Sequence, residues 1–182
     1  EEQLGVEDIT QQQDVAVTIT NSGYIKRTSL AEYRQQRRGG KGVVAATARE
    51  GDFVKDIFVA NTHSYLLFFT NLGMAHWLKV YDVPESSRYS AGKAIVNLLR
   101  LRENETVTAV LPVKDFSGLV VMATKKGTVK KNELADYSNP RMGGIIAISL
   151  EPNDELISVA ATDGGQKLII ATKHGLAARF NE

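Results

Sequence analysis

The 182-residue sequence predicts an all-β chain: a propeller-like β-pinwheel of four-stranded blades, with about three and a half blades present. Three observations predict it. One segment recurs along the chain, with its turn glycines Gly23, Gly73, Gly127 and Gly175 separated by 50, 54 and 48 positions. The runs on either side of each glycine are short, rich in β-branched residues and partly alternating. Turn residues fall every 8–12 positions or so, the spacing of hairpin-connected strands.

Each repeat holds two hairpins. The first reads "VAVTITNSGYIKRTSLAEY" at 15–33, "YLLFFTNLGMAHWLKVYDV" at 65–83, "LVVMATKKGTVKKNELADY" at 119–137 and "LIIATKHGLAARF" at 168–180. The second reads "GVVAATAREGDFVKDIFVA" at 42–60, "AIVNLLRLRENETVTAVLP" at 94–112 and "GIIAISLEPNDELISVAAT" at 144–162, each an apolar run, an acidic turn and another run. The units are drawn at 14–63, 64–117, 118–166 and an incomplete 167–182, all within one partial domain spanning 1–182. About fourteen strands follow, with helical turns expected at "SLAEY" and "NELADY". A blade cannot bury both of its faces alone, so blades must stack. A chain halfway through a fourth unit implies an open arc or part of a larger disc; the aggregation liability of a free edge favours the disc. The acidic turns are expected to be solvated hairpin tips.

Composition bounds the chemistry. The apolar share of 43% and charged share of 24% are those of a globular protein. No apolar run approaches the roughly 20 residues that span a bilayer. The acidic start "EEQLGVEDIT" is not a secretory signal. There is no cysteine, which excludes disulfides and thiolate metal sites and fits a reducing, cytoplasmic setting. His63, His76 and His174 are too dispersed for a zinc site and are expected to pack or face solvent. No nucleophile–base arrangement, metal-spaced carboxylates or nucleotide loop is present, so no catalysis, cofactor, metal or small-molecule substrate is expected.

The net charge of +1 hides an uneven distribution. Residues 1–14 carry Glu1, Glu2, Glu7, Asp8 and Asp14 and no base. Residues 24–42 carry Lys26, Arg27, Arg34, Arg37, Arg38 and Lys41 against Glu32 alone. Such asymmetry points to a polyanionic partner. In "QRRGGKG" the glycines Gly39, Gly40 and Gly42 allow positive φ and close backbone approach, and successive amides can cradle an anion. The arginines add forked donors that match phosphate oxygens, and Lys41 adds a point charge. No recognition helix or P-loop spacing accompanies them, so phosphate holding is expected without base reading.

The repeat extends this pattern. Residues just after the turn glycines are basic: Lys26 and Arg27, Lys130 and Lys131, and Arg179, while the second repeat has His76 and Trp77 there and Lys79 soon after. The equivalents of the glycine-rich loop, "SSRYSAGKA" at 86–94 and "SNPRMGG" at 138–144, keep Arg88, Lys93 and Arg141. Equivalent positions of stacked blades fall on one rim, so these cations are expected to form a curved track. Edge lysines that block strand pairing are the alternative account of a pair such as Lys130 and Lys131.

"QRRGGKG" at Gln36–Gly42 resembles the gyrase-A box, the signature of the C-terminal DNA-wrapping domain of the DNA gyrase A protein. "VANTH", "AIVNLL" and "MATKKGTVKK" are similar to segments of the same domain's first blades. The resemblance implies a β-pinwheel, usually of about six blades, that wraps duplex DNA around a basic rim so that strand passage introduces negative supercoils. It assigns the essential wrapping role to Gln36, Arg37, Arg38, Gly39, Gly40, Lys41 and Gly42. It also implies a cytoplasmic, nucleoid-associated bacterial setting, double-stranded DNA as partner, and assembly with the rest of gyrase A and with gyrase B. The active tyrosine and the ATPase of the family lie elsewhere. Two alternatives remain open: the related domain of topoisomerase IV, which positions DNA without strong wrapping, and a propeller whose basic loop docks an acidic protein.

Overall fold

The computed structural model describes residues 5–33 and 51–182; the segment 34–50, with Arg34 and the box Gln36–Gly42, lies outside the described residues. Among the described residues, one helical turn, α1 (Val6–Ile9), precedes thirteen strands. They are β1 (Asp14–Thr20), β2 (Tyr24–Ser29), β3 (Val54–Asn61), β4 (Tyr65–Thr70), β5 (Met74–Lys79), β6 (Lys93–Ala94) and β7 (Val107–Val113). There follow β8 (Leu119–Thr124), β9 (Val129–Glu133), β10 (Ile145–Ile146), β11 (Leu156–Thr162), β12 (Lys167–Ala171) and β13 (Ala177–Asn181). The expected helical turns form as single 3-10 turns at Leu30–Glu32 and Leu134–Tyr137, with two more at Val80–Asp82 and Ile95–Asn97.

The all-β prediction holds, and the described strands form four sheets in the orders β3-β1-β2-β6, β10-β5-β4-β7, β11-β8-β9 and β12-β13. Sheets and sequence repeats are out of step by one strand. β6 belongs to the second repeat but pairs with β2 of the first, Tyr24 opposite Ala94 and Ile25 opposite Lys93. β10 belongs to the third and pairs with β5 of the second, Ile145 opposite Ala75. Each of the first two hairpins therefore receives its outer strand from the next repeat.

Contacts divide the chain into two compact units. One contains Leu67 and the described residues before it, Trp77–Arg102 and Pro112–Lys114; the other contains Phe68–His76, Glu103–Leu111 and Asp115–Glu182. In the first, Val15, Val17, Ile19 and Ile25 are buried, and β1 is covered on both faces beyond Asp14. In the second, Phe69, Met74, Val120, Met122 and Leu156 are buried, and Phe69 meets the edge of Tyr137 at 5.5 Å. Burial raises the Tyr137 phenol well above its usual range, with the Asp136 charge adding to the effect.

One turn chemistry recurs in the first hairpin of every repeat. The Thr20, Thr70, Thr124 and Thr172 carbonyls accept the N–H of Gly23, Gly73, Gly127 and Gly175 at 2.9–3.0 Å. The same threonines' hydroxyls accept the N–H of the following residue, Tyr24, Met74, Thr128 and Leu176. Each glycine sits at a φ between +73° and +94°, a left-handed conformation that a Cβ disfavours. Threonine thus supplies two acceptors and a β-branched strand residue at one position.

Candidate nucleic-acid interface

The outer edge of β2 grips the loop at 83–92. The Arg27 N–H donates to Pro84 O, the Ser86 N–H to Arg27 O, and the Thr28 hydroxyl to Ser86 O. At the centre is Lys26, only 2% exposed. Its ammonium donates to the carbonyls of Ser87 at 3.2 Å, Arg88 at 2.7 Å and Ser90 at 2.6 Å. An ammonium has three protons and all are taken. The expectation that Lys26 contacts phosphate is therefore corrected: the side chain is covered by the loop it holds, and burial pulls its pKa below the usual lysine value against the charge of Glu32. Gly92 (φ +82°) closes the loop on the same spot; a Cβ there would lie 2.5 Å from Ile25 O and 3.0 Å from Lys26 Cβ.

The second unit repeats the arrangement with other atoms. His76, like Lys26, is the third residue after its turn glycine. Its Nε2 lies 2.9 Å from Glu105 Oε1, and both side chains are buried. The Thr70 hydroxyl donates to the same carboxylate oxygen at 2.8 Å. Against the imidazole sits Gly144 (φ +72°), where a Cβ would lie 2.8 Å from His76 Cε1 and from Ala75 O.

Two of the acidic turns depart from expectation at one acid each. Glu103, Glu151 and Glu155 are exposed, as expected of solvated tips, but Glu105 is 4% and Asp154 8% exposed. These two and Asp52 each follow a residue at positive φ: Gly51 before Asp52, Asn104 before Glu105, Asn153 before Asp154. The Asp52 carboxylate accepts the N–H of Ser22 and Phe53, and Asp154 accepts those of Lys126 and Glu155. The Thr20 hydroxyl first, with the Ser22 and Phe53 N–H groups, holds the Asp52 carboxyl below its usual range against partial burial. Burial raises Asp154, but bonds from Thr124, Lys126 and Glu155 and the Lys126 charge outweigh it and leave it lowered.

The other expected DNA-binding residues fall into two groups. Arg27 is turned onto the loop, its Nε donating to Val83 O at 2.7 Å and a terminal nitrogen pairing with Glu85 at 2.9 Å. Lys79 donates to Glu7 at 3.0 Å and to His63 O at 3.1 Å, and lies 4.0 Å from the centre of the Tyr65 ring. Burial lowers the Lys79 pKa, yet the bond from Glu7 and nearby charge leave it raised. Lys93, Lys131, Arg141 and Arg179 are exposed, as is Lys130, which spends one donor on Ala147 O at 2.9 Å. Arg88 is half-buried; its guanidinium reaches Glu32 O and the Tyr89 hydroxyl and lies over the Tyr89 ring.

Arg88 and Lys93 are carried by the Lys26-gripped segment in the first unit. Lys130, Lys131, Arg141 and Arg179 belong to the second. Sequence reasoning missed Tyr89, 62% exposed beside Arg88, and the gripping role of β2. The aromatic–arginine neighbours in "SSRYSAGKA" were the available signal for Tyr89. Among the described residues, no group of three metal-ligating side chains forms and no helix is long and apolar enough to cross a membrane.

Comparison with known proteins adds the following. The model of the family described as "DNA gyrase C-terminal domain, beta-propeller" matches residues 14–61, 64–114 and 118–163. The gyrase A protein of Clostridium acetobutylicum is 46% identical over 184 residues, covering 100% of this chain and 22% of that protein. The gyrase A protein of Salmonella typhimurium is 46% identical over 181 residues, covering 98% and 21%. The chain thus spans about a fifth of the length of the curated relatives it matches. Among solved structures, a topoisomerase IV C-terminal domain superposes with a TM-score of 0.80 at 30% identity, covering 95% of this chain and 53% of that one. A DNA gyrase A C-terminal domain superposes at 0.67 and 27% identity, covering 93% and 55%.

Proposed function

We propose, from the premise that this chain belongs to the DNA gyrase C-terminal β-propeller family, that it binds duplex DNA without reading its sequence. In this reading it bends the duplex along exposed cations and, within a gyrase A protein working with gyrase B, supplies the wrap through which strand passage introduces negative supercoils. The observation that carries the reading is the family match across three successive repeats. The exposed cations Lys93, Lys130, Lys131, Arg141 and Arg179, with Arg88, support it as phosphate contacts. The box Gln36–Gly42 and Arg34, outside the described residues, are assigned the anchoring role by their sequence.

Chemistry fits the assignment. Phosphate neutralisation releases counterions and gives sequence-independent affinity that falls by about 0.9 log units per contact for each tenfold rise in salt. Bending a site of 20–30 base pairs costs on the order of 1–6 kcal/mol, so contacts must be distributed along the path. In this reading the chain itself performs no catalysis, needs no cofactor and relies on the rest of the enzyme for strand cleavage.

The closer superposition on the topoisomerase IV domain favours a second reading, in which DNA is positioned with little wrapping. Relaxing circular DNA in the presence of the chain separates the two. A trapped linking difference supports wrapping, and none supports positioning. Replacing Arg37, Arg38 and Lys41 by alanine abolishes supercoiling by the parent enzyme if the box anchors the wrap; unchanged supercoiling defeats that assignment.

A further inference from the structure

We infer that the third residue after each of the first two turn glycines, Gly23 and Gly73, is a positioning residue for the cation-bearing loop of the next repeat: Lys26 for the loop with Arg88 and Lys93, and His76 for the loop with Arg141. The inference rests on the DNA-binding reading above and names residues that act in it without touching DNA.

Two independent copies of the same contact carry it. In the first unit Gly92 seats on Ile25 and Lys26, and in the second Gly144 seats on Ala75 and His76. Each contact pairs the second and third residues after a turn glycine with a positive-φ glycine of the following repeat. The pairing is continuous with strand exchange, because β6 and β10 begin one residue after Gly92 and Gly144. The residue at the third position differs in each copy, lysine then histidine, yet both are buried and both sit on the loop.

The chemistry at Lys26 explains how it sets the loop. Three carbonyls converging on one ammonium fold the backbone of 87–90 around a point charge. A carbonyl left facing a buried apolar group is costly, so the loop holds this shape while the charge is present. The same backbone carries Arg88, whose side chain points away to Glu32 and Tyr89. Lys26 thereby fixes where a neighbouring guanidinium is presented.

The test is a double-mutant cycle on the 182-residue chain with a labelled duplex. Lys26→Met keeps the length and removes the charge; Arg88→Ala removes the contact. Expected are a roughly tenfold weaker affinity near 0.1 M salt for Lys26→Met and a salt slope smaller by about 0.9. Adding Arg88→Ala is expected to cost little more, since the contact is already lost. Amide exchange at 86–92 is expected to quicken in Lys26→Met while exchange in β8 and β11 stays slow. Full additivity, as two separate phosphate contacts would give, overturns the inference, as does a Lys26→Met chain with unchanged affinity and slope. If the unaltered chain binds no duplex at low salt, the DNA-binding reading fails instead. Exchange at 86–92 then decides the positioning claim alone: unchanged protection defeats it and quickened exchange supports it.

Discussion

Lys26 and His76 occupy the same place in successive repeats and hold the same kind of loop, but with opposite chemical logic. Lys26 satisfies itself on backbone carbonyls of the loop. His76 is satisfied from behind, by Glu105 of its own sheet's acidic turn, and meets the loop with a ring edge against Gly144. The first latch acts by charge on dipoles and the second by shape. A latch made of charge depends on one side chain, whereas one made of shape depends on everything that keeps the ring in place. Perturbations far from the loop should therefore reach it in the second unit and not in the first.

The largest effect sharpens that contrast. Removing Glu105 leaves the buried His76 ring nitrogen and the Thr70 hydroxyl without this acceptor, at about 1–3 kcal/mol each. Glu105→Ala is expected to cost that much in urea unfolding and to loosen exchange around Gly144. Glu105→Gln keeps an acceptor for the Thr70 hydroxyl and is expected to cost far less. If Glu105→Ala costs under about 1 kcal/mol, the second latch does not depend on its backing.

Next comes steric fit. Gly144→Ala combines a positive φ with a Cβ 2.8 Å from the His76 ring and Ala75 O. Gly23 shares the backbone conformation, at φ +79°, but has open space at the Cβ position. The left-handed penalty alone is about 1–2 kcal/mol, which is the expected cost of Gly23→Ala. Gly144→Ala is expected to exceed it clearly in thermal unfolding. Equal costs would mean that the ring gives way and that shape is not what holds the second loop.

Lys26→Met is expected to fall between these, at about 2 kcal/mol, because its carbonyl partners lose a charged donor but lie in a loop that water can reach after local opening. Lys26→Arg is the sharper comparison. Its planar fork cannot aim three donors at one point, so it is expected to restore charge without restoring exchange protection.

These latches also mark where sequence reading stops. The four Thr-x-x-Gly turns are local, and their spacing reveals the hairpins because both the hydroxyl bond and the left-handed glycine lie within five residues. The runs "VAVTIT" and "YLLFFT" reveal their strands for the same reason. β6 and β10 are two residues long and pair with another repeat, so no local pattern contains them. Lys26 reads as one more base beside Arg27 because nothing in "YIKRTS" shows that its partners are carbonyls some 60 residues away. Glu105 reads as a solvated turn acid for a parallel reason: its partner His76 is 29 residues away.

A smaller effect, confined to acid, comes from the first and third acidic turns. Asp52 and Asp154 have folded-state pKa values below their unfolded values. Their stabilisation is therefore complete above the unfolded value, about 3.9, and is lost as pH falls through the folded one. Asp154→Asn is expected to flatten the acid limb of a stability-versus-pH curve. An acid limb identical to that of the parent would mean that the carboxylate's bonds to the Lys126 and Glu155 amides persist on protonation.

The smallest effect tests whether burial, rather than charge as such, is what makes a latch. Lys79 resembles Lys26 in holding a backbone carbonyl, that of His63, and adds an ion pair with Glu7 and the face of Tyr65. Yet Glu7 is 49% exposed, and α1 buries none of its residues. Water competes for both charges, and exposed pairs of this kind are worth about 0.2–1 kcal/mol. Glu7→Gln is expected to lower stability by no more than that, by less still at 0.5 M salt, where the Debye length falls to about 4 Å. Stability should be read by urea unfolding at low and high salt. In the same protein Lys26→Met is expected to keep its full cost at both salts, because the Lys26 side chain is buried and its partners are carbonyl dipoles rather than ions. A salt-insensitive cost at Glu7, or a salt-sensitive one at Lys26, would erase the distinction between the buried cation and the exposed one.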